Sequence, residues 1–334
     1  MGIVNIGDLR CEPGAKVSGT IPAVKRVDGT DLGFPVLVAN GKGDGPVLLV
    51  DGGIHGDEQE GTLAILSFMK KLDPAKLNGT VIGVPVMNVG GFEAMSRGNP
   101  RDIHTYDMNR IYPGKGLDKG YLTDRIAAVH DQTVGQLADM EITIHSGGNI
   151  CYLGETIFTK SGDDKSFELA RAMGADWKII LDTPHPVGSP MAAMVNRDKI
   201  AITVELGGSA TLMPDALAHN VDVLERAMMN VCHHYGMVEG EPTYAAEAWR
   251  GSQIAVMASR SGILLPNPDI SANKLKQPIT EGEVLLTMAD LFGEPVEELK
   301  APCTGVLFGF RTYPSTTAGD WTLFCGNAEL TPIG

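Results

Sequence analysis

The amino-acid sequence predicts an α/β fold, with a sheet flanked by helices, followed by a small all-β domain. The 334 residues are 43% hydrophobic, which is enough apolar material for a sizeable core and a second, smaller unit. Strand-like and helix-like runs alternate as far as Gly236, and such alternation is typical of a sheet covered by helices. Beyond Glu239 the runs are short, β-like and separated by turn residues. We therefore predict an α/β domain over 1–240 and a β domain over 241–334.

The first clear unit of this pattern lies between residues 41 and 72. A glycine-rich turn precedes the apolar run Pro-Val-Leu-Leu-Val, which ends at Val50. A polar loop follows, and then a mostly apolar, helix-like stretch that closes at Lys70 and Lys71. This order predicts a strand, a loop and a helix. Open α/β sheets carry functional residues in the loops that follow their strands, so the polar loop is a candidate site.

The remaining elements are predicted from the spacing of apolar residues. Apolar runs predict strands at 80–87, 141–144, 177–181 and 200–206. Helical spacing predicts three further helices, namely one with Leu122, Ile126, Val129 and Leu137 on a single face, one over 166–173, and one that carries Val221, Leu224, Met228 and Val231 and stops at Gly236. In the β domain, turn residues at 261–262, 281–282 and 302–305 separate the strands.

Composition and charge argue against several classes of partner. The formal net charge is −14 and no cluster of Lys and Arg interleaves with aromatic residues, so we expect no nucleic-acid partner. No apolar run approaches the ~20 residues that span a bilayer, and the first ten residues lack the pattern of a signal peptide. The five scattered cysteines form no Cys-x-x-Cys pair and are expected to be reduced and mostly buried. These features predict a cytoplasmic protein without a membrane partner.

The polar loop after Val50 contains a candidate metal-binding pair, His55 and Glu58. Zn²⁺ accepts nitrogen and oxygen ligands, and the glycines around this His-x-x-Glu spacing allow the loop to fold back. The pair by itself is weak evidence, because the same spacing also arises by chance in a chain of this length. A polar surface loop explains it equally well.

A second polar segment, residues 97–114, has too little periodicity for a helix and too much charge for a buried strand. Arg97 and Arg110 carry planar guanidinium groups that grip carboxylates with two hydrogen bonds, and Asn109 can donate and accept beside them. An anion clamp is one interpretation of this segment. The other is that both arginines are solvated or ion-paired on the surface, as most arginines are.

Two predicted strands end in side chains that suit a catalytic centre. His145 closes one strand and Glu205 lies near the end of another, and a pair of glycines follows each of them. His145 is the candidate third zinc ligand, although a lone histidine at a strand end is more often structural. Glu205 is the candidate proton carrier, since a buried carboxylate is costly unless it is used or paired. Two imidazoles and one carboxylate leave a zinc coordination position open for water.

Four separated strings together resemble one known family. The strings are Gly-Gly-Ile-His-Gly-Asp-Glu, Asp-x-Asn-Arg-x-x-Pro-Gly, Ile-His-Ser-Gly-Gly and Val-Glu-Leu-Gly-Gly. Their order and spacing resemble the succinylglutamate desuccinylase and aspartoacylase family, which belongs to the zinc carboxypeptidase clan. The resemblance covers residues 40–240 and implies a mixed sheet of the zinc carboxypeptidase type. The tail resembles the family's β domain, which is a barrel-sandwich of the lipoyl type.

The resemblance also implies roles for individual residues. It implies one Zn²⁺ per chain, with the ligands His55, Glu58 and His145. Glu205 corresponds to the general acid and base, Arg97 to the group that polarises the scissile carbonyl, and Asn109 with Arg110 to the grip on a substrate carboxylate. Tyr313 is a further substrate-binding candidate, because the β domain can reach over the groove. Many relatives carry Asp where Thr143 stands here, and this difference bears on what supports His145.

The expected function is that of a zinc-dependent amidohydrolase. Its substrate would be a small N-acyl amino acid or a related carboxylate-bearing amide, cleaved into an acid and an amine. A homodimer is expected. Two alternatives remain open. A metallocarboxypeptidase that acts on peptide C-termini would use the same metal set and anion grip, and a non-catalytic binding protein would keep the pocket without the activity.

Overall fold

The computed structural model describes residues 2–104, 106–183, 187–209, 213–270 and 274–333. Its largest element is a mixed sheet of twelve strands. The strands of the described chain are β1 (Val4–Ile6), β2 (Leu9–Cys11), β3 (Ala15–Lys25), β4 (Asp31–Asn40), β5 (Gly43–Gly52), β6 (Asn78–Val84), β7 (Met140–His145), β8 (Cys151–Lys160), β9 (Ile179–Thr183), β10 (Ile200–Gly208), β11 (Glu247–Met257), β12 (Gly262–Leu264), β13 (Pro278–Ile279), β14 (Val284–Ala289), β15 (Pro295–Lys300), β16 (Gly305–Arg311), β17 (Ser315–Thr316) and β18 (Trp321–Pro332).

Six α-helices accompany these strands in the described residues. They are α1 (Glu60–Lys71), α2 (Val89–Glu93), α3 (Leu122–His130), α4 (Asp164–Ala172), α5 (Pro190–Val195) and α6 (Pro214–His234). A short 3-10 turn covers Met108–Arg110, and a π-helical turn, Asp131–Gly135, continues α3. None of the helices in these parts of the chain combines the length and the hydropathy that crossing a bilayer requires.

The twelve strands follow the order β13-β16-β18-β11-β9-β8-β10-β7-β5-β6-β4-β3. In the centre, β5 is parallel to both β6 and β7, and β7 is parallel to β10. Strand β8 runs antiparallel to β10, which makes the sheet mixed. Because parallel strands end at the same edge of a sheet, the residues that follow β5 and β7 and the end of β10 lie close together. The predicted mixed sheet flanked by helices is confirmed.

Both faces of the central sheet are covered. Alternation along β5 places Leu48 and Val50 in the core shared with α1, α4 and α6, whereas Leu49 belongs to the core shared with α3 and α5. All six residues of β7 are buried, as expected for a strand with helices on both sides. The carboxyl ends of β5, β7 and β10 therefore lie at the edge of the part of the sheet that is covered on both faces.

Several predicted boundaries differ from the observed ones. Strand β6 ends at Val84, three residues before the predicted end. Helix α3 ends at His130, and Leu137 is 42% exposed rather than part of the buried face, because the chain passes through the π-helical turn before reaching it. Strands β3, β4 and β8 and helix α5 were not predicted, although Leu32, Phe34, Val36 and Val38 of β4 alternate along the strand and all face one core.

The described residues after 240 form strands and no helix. Strands β12, β14, β15 and β17 make a separate four-stranded sheet, which shares a small core with Leu307 on β16 and with Leu323 and Cys325 on β18. Strands β11, β16 and β18 instead extend the twelve-stranded sheet, where β11 pairs in parallel with β9. The large sheet thus continues across residue 240, and the division into 1–240 and 241–334 stays a prediction.

Candidate active site

A pocket of about 680 Å³ opens at the carboxyl ends of β5, β7 and β10. Seven of the eight residues that the sequence singles out line it, namely His55, Glu58, Arg97, Asn109, Arg110, His145 and Glu205. Strand pairing explains part of this convergence, because Glu205 on β10 lies directly beside His145 on β7. His55 and Glu205, which are 150 positions apart along the chain, therefore line one cavity.

The loop that carries His55 and Glu58 is held against helix α2 by a close backbone approach. A Cβ atom on Gly56 would lie 1.9 Å from the carbonyl carbon of Gly91, so only glycine fits at this position. Gly53 has a φ of +58°, in the left-handed region that glycine adopts most easily. Local glycine chemistry therefore turns the loop back toward the sheet edge.

The three predicted zinc ligands converge in the pocket. The Nδ1 atoms of His55 and His145 are 3.2 Å apart, and they lie 2.7 Å from Oε1 and 2.9 Å from Oε2 of Glu58, respectively. All three side chains are buried, and their candidate ligand atoms lie within 4.8 Å of one another. Convergent nitrogen and oxygen donors have the composition of a zinc site, so this group could hold a metal ion.

Asp107 supports this group, although it was not among the predicted site residues. Its Oδ1 lies 3.0 Å from Nε2 of His55. A neutral His55 that donates from Nε2 to Asp107 keeps the lone pair of Nδ1 directed toward Glu58 and His145. The only signal for this role was the position of Asp107 in the Asp-x-Asn-Arg string.

Arg97 links the metal-binding group to the far wall of the pocket. Its Nε and Nη2 atoms each lie 3.0 Å from Oδ2 of Asp107, and its Nη1 lies 3.6 Å from Oε1 of Glu58. The guanidinium carbon stands 5.9 Å from the ring centre of Trp321. Arg97 is thus both ion-paired and part of the pocket lining.

Asn109 and Arg110 form the rim of the pocket through the 3-10 turn. The Asp107 carboxylate caps this turn by accepting a hydrogen bond of 2.9 Å from the Asn109 backbone N–H. The Arg110 side chain donates to the Asn109 carbonyl at 2.8 Å, and Arg110 is exposed. The Oδ1 atom of Asn109 is buried and accepts no hydrogen bond within the described chain. This part of the pocket lining therefore offers a positive charge and an amide oxygen that has no partner in the described residues.

The two carboxylates in the pocket have opposite electrostatic surroundings. Burial raises the pKa of Glu205 well above its usual value, and the neighbouring Glu58 raises it further, while Arg97 opposes the shift. Burial alone would also raise the pKa of Glu58, but the imidazoles of His55 and His145 hold it well below its usual value. Glu58 thus remains an anion, and Glu205 is the group suited to carrying a proton.

Tyr313 and His145 differ from the other predicted site residues in their surroundings. Tyr313 is 55% exposed and lies outside the pocket lining in the described structure, so its substrate-binding role stays a prediction. Nε2 of His145 is buried and finds no hydrogen-bond partner in the described residues. Within these residues His145 therefore has no carboxylate support of the kind that Asp107 gives to His55.

Comparison with known proteins identifies the family of this chain. Residues 44–232 match the model of the succinylglutamate desuccinylase/aspartoacylase catalytic domain. The chain belongs to this family. It is also 30% identical over 299 residues to the N-alpha-acetyl-L-2,4-diaminobutyric acid deacetylase of Halomonas elongata, covering 86% of this chain and 83% of the relative. The family predicted from the four sequence strings is confirmed.

Solved structures of the family share the whole fold. A succinylglutamate desuccinylase from Silicibacter sp. TM1040 has a TM-score of 0.81 at 24% identity, covering 98% of this chain and 100% of its own. The product-bound ectoine utilization protein EutE (DoeB) from Ruegeria pomeroyi has a TM-score of 0.83 at 23% identity, covering 97% and 98%. The C-terminal strands are therefore part of the fold that this family member shares with these structures.

Sequence interpretation missed the far wall of the pocket. Phe158 on β8, Phe308 on β16, and Trp321 and Phe324 on β18 all line it. Three of these four come from the predicted β domain, and no local motif marks any of them. Phe308, Trp321 and Phe324 reach the site because β16 and β18 extend the large sheet.

Proposed function

We propose that this protein is a zinc-dependent amidohydrolase with one zinc ion per chain. It would remove the acyl group from a small N-acyl amino acid or a related carboxylate-bearing amide. The observation that carries the proposal is the convergence of His55, Glu58 and His145 beside the raised-pKa carboxyl of Glu205. The deacetylase activity named for the Halomonas relative belongs to the same reaction class.

The donor set fits a zinc ion. Two imidazole nitrogens that face each other across 3.2 Å cannot both carry a proton in that gap, and the Glu58 carboxylate closes the third side. A divalent cation is the natural partner for such convergent donors. When bound, zinc supplies a Lewis acid next to the scissile carbonyl.

Glu205 would move the proton during hydrolysis. It accepts a proton from the attacking water as the new C–O bond forms, and it delivers this proton to the amine nitrogen as the C–N bond breaks. The carboxyl must therefore be ionised when the water attacks and protonated when the amine leaves. General acid–base groups of this kind contribute about 10² to 10⁴ in rate.

The arginines would bind and stabilise negative charge. Arg97 stands within the pocket beside Glu58, where its guanidinium group can stabilise the oxyanion that develops on the carbonyl oxygen. Arg110 and Asn109 at the rim would bind the substrate carboxylate, since guanidinium and amide groups together offer several donors. This placement orients the amide between the rim and the metal-binding group.

Metal analysis and a substrate panel would test the proposal. Purified protein is assayed for zinc by mass spectrometry, and amine release is measured from N-acyl amino acids and from unblocked peptides, with and without a chelator. We expect about one zinc per chain and chelator-sensitive release from the N-acyl compounds. Preferred cleavage of peptide C-termini would instead indicate a metallocarboxypeptidase, and a folded protein without metal or activity would indicate a binding protein.

The expected homodimer in the cytoplasm is a separate part of the proposal. Light scattering coupled to size-exclusion chromatography measures the mass in solution, which should be about twice the 35.5 kDa of one chain. A mass of a single chain would contradict the dimer without affecting the proposed chemistry.

A further inference from the structure

The pocket has two halves of different chemistry. The charged residues that line it all come from the catalytic loops and from β10, and they include Arg97, Arg110 and Glu205. None of the described lining residues on β8, β9, β11, β16 or β18 carries a charge. A substrate that spans the pocket therefore contacts charged side chains on one side and uncharged side chains on the other.

The uncharged half is an aromatic wall, which we define as Phe158, Phe308, Phe324 and Trp321. The ring centres of Phe158 and Phe308 are 5.9 Å apart, those of Phe308 and Phe324 are 6.0 Å apart, and those of Phe324 and Trp321 are 6.0 Å apart. Trp321 in turn lies under the Arg97 guanidinium group. The wall thus begins beside the proposed reaction centre and leads away from it.

The polar groups next to the aromatic wall are neutral. Gln253 on β11 donates a hydrogen bond of 3.2 Å to the Thr183 hydroxyl on β9, and both residues line the pocket. Phe158 and Phe308 are buried, whereas Phe324 and Trp321 are partly exposed, so these two are the members of the wall that can contact a bound molecule. An anionic group placed here would lose its hydration without gaining a cation from the described wall.

From this division we propose that the substrate carries an uncharged aryl group, which packs on the aromatic wall while its carboxylate is held at Arg110 and Asn109. The inference rests on the proposed amidohydrolase function and narrows its substrate class to aryl-bearing N-acyl amino acids. Aromatic rings pack against one another at centre distances of about 4.5–7 Å, and the partly exposed rings of Phe324 and Trp321 offer a substrate ring such a contact. A dicarboxylic acyl group such as succinyl does not fit this half of the pocket.

Substrate preference in matched variants would test the inference. The value of kcat/KM is measured on zinc-loaded protein for N-acetylphenylalanine, N-benzoylglycine, N-acetylalanine, N-succinylglutamate and Nα-acetyl-2,4-diaminobutyrate. We expect kcat/KM for an aryl compound to exceed that for N-acetylalanine by about tenfold or more.

Phe324→Leu should reduce this ratio of kcat/KM values about tenfold, because the substitution removes the ring and keeps an apolar side chain. Phe310→Leu is the control, since Phe310 lies on the neighbouring β16 but packs in the core of the small sheet.

Binding provides a second readout that does not depend on turnover. Calorimetric affinity for N-benzoylglycine and for N-acetylglycine should show the same aryl preference, and Phe324→Leu should lower it while Phe310→Leu leaves it unchanged. The inference is overturned if neither aryl compound is preferred, if the succinyl or the diaminobutyrate compound is the best substrate, or if Phe324→Leu keeps the preference. Aryl-selective binding without cleavage of any amide would instead refute the proposed function alone.

Discussion

Two glutamates in one pocket show how the surroundings of a residue decide its chemistry. Glu58 lies between two imidazoles and stays ionised, whereas Glu205 is buried near another carboxylate and has a raised pKa. The side chains are identical, so the difference comes from burial and from neighbouring charge. Their separation into a ligand and a proton carrier is the pattern expected for acid–base catalysis near neutral pH.

Removing the proton carrier should leave the metal-binding group intact. For Glu205→Gln we expect kcat to fall by about 10² to 10⁴, because the amide cannot accept a proton from water. Zinc content should stay at the wild-type level, since Glu205 is not among the three converging donors. Steady-state kinetics and metal analysis measure the two quantities. Glu93→Gln, which changes an exposed glutamate on α2, is the control, and unchanged kcat in Glu205→Gln would refute the assignment.

A second pair of buried carboxyls lies beneath the site. Asp51 ends the central part of β5 and Glu141 lies on β7, and the Asp51 carboxyl interacts with the Glu141 carboxyl and with the Thr143 hydroxyl. Burial raises the pKa of Asp51 to about 7 and that of Glu141 well above its usual value. The charged or titratable neighbours are His130, Tyr112, Asp131 and Arg197. Close approach of the two carboxyls requires at least one proton.

This pair should make stability depend on pH. The folded protein holds protons on these carboxyls that the unfolded chain releases near pH 4, so their contribution to the free energy of unfolding falls as pH rises from about 4 to 7. Burial lowers the pKa of His130 to about 3, which acts in the opposite direction below about pH 6.5 in wild type and variant alike. From pH 5 to pH 8 we therefore expect metal-free wild type to lose on the order of 2 kcal/mol relative to Asp51→Asn. Urea unfolding at both pH values measures it. An identical loss in the variant would show that other groups carry the dependence.

Among the elements, the contact between the metal-binding loop and helix α2 is the tightest at the site. The Gly56 backbone and the first turn of α2 touch without room for a side chain. Because His55 and Glu58 flank Gly56, any displacement of the loop moves two of the three candidate ligands. The position of a short helix thus controls the geometry of the metal-binding group.

Adding one methyl group at this contact should weaken metal binding. In Gly56→Ala we expect zinc affinity to fall by about 10- to 100-fold, because the loop must shift away from Gly91. Competition with a fluorescent zinc chelator measures the affinity. Gly154→Ala is the matched control, since a Cβ there meets its neighbours at 3.4 Å or more. Equal affinity in both variants would show that the close approach is not needed.

At the scale of the whole molecule, the large sheet joins the two predicted domains. Strand β11 pairs with β9, β18 covers the other side of β11, and β16 pairs with β8. The far wall of the pocket lies on these strands. Removal of the C-terminal part would therefore expose the edge of β9 and half of the active site.

A fragment that ends at residue 240 should fail to fold as a stable unit. It would expose Leu181, Ile179 and Phe158, which are buried against residues of the C-terminal strands. We expect aggregation, or a melting transition without cooperativity, in circular dichroism and size-exclusion chromatography of the fragment. Cooperative melting at the temperature of the full chain would establish 1–240 as an independent domain.

The sequence by itself determined the residues that follow the strong central strands. The apolar runs of β5, β7 and β10 are local signals, and parallel strands bring their carboxyl ends together, so His55, His145 and Glu205 were predictable. The His-x-x-Glu spacing added Glu58 and the polar segment 97–114 added Arg97, Asn109 and Arg110, and the structure places all of these in the pocket. Each of these residues lies in a short sequence pattern or at the end of a predicted strand, and such signals are local.

Only the tertiary structure decided how the rest of the pocket is built. The support of His55 by Asp107 and the aromatic wall depend on contacts between segments that lie far apart in the chain. The placement of β16 and β18 in the large sheet depends on backbone hydrogen bonds, which carry no side-chain signature. Which strands pair, and therefore which side chains share a cavity, is a property of the packed chain, because local spacing predicts an element but not its neighbours.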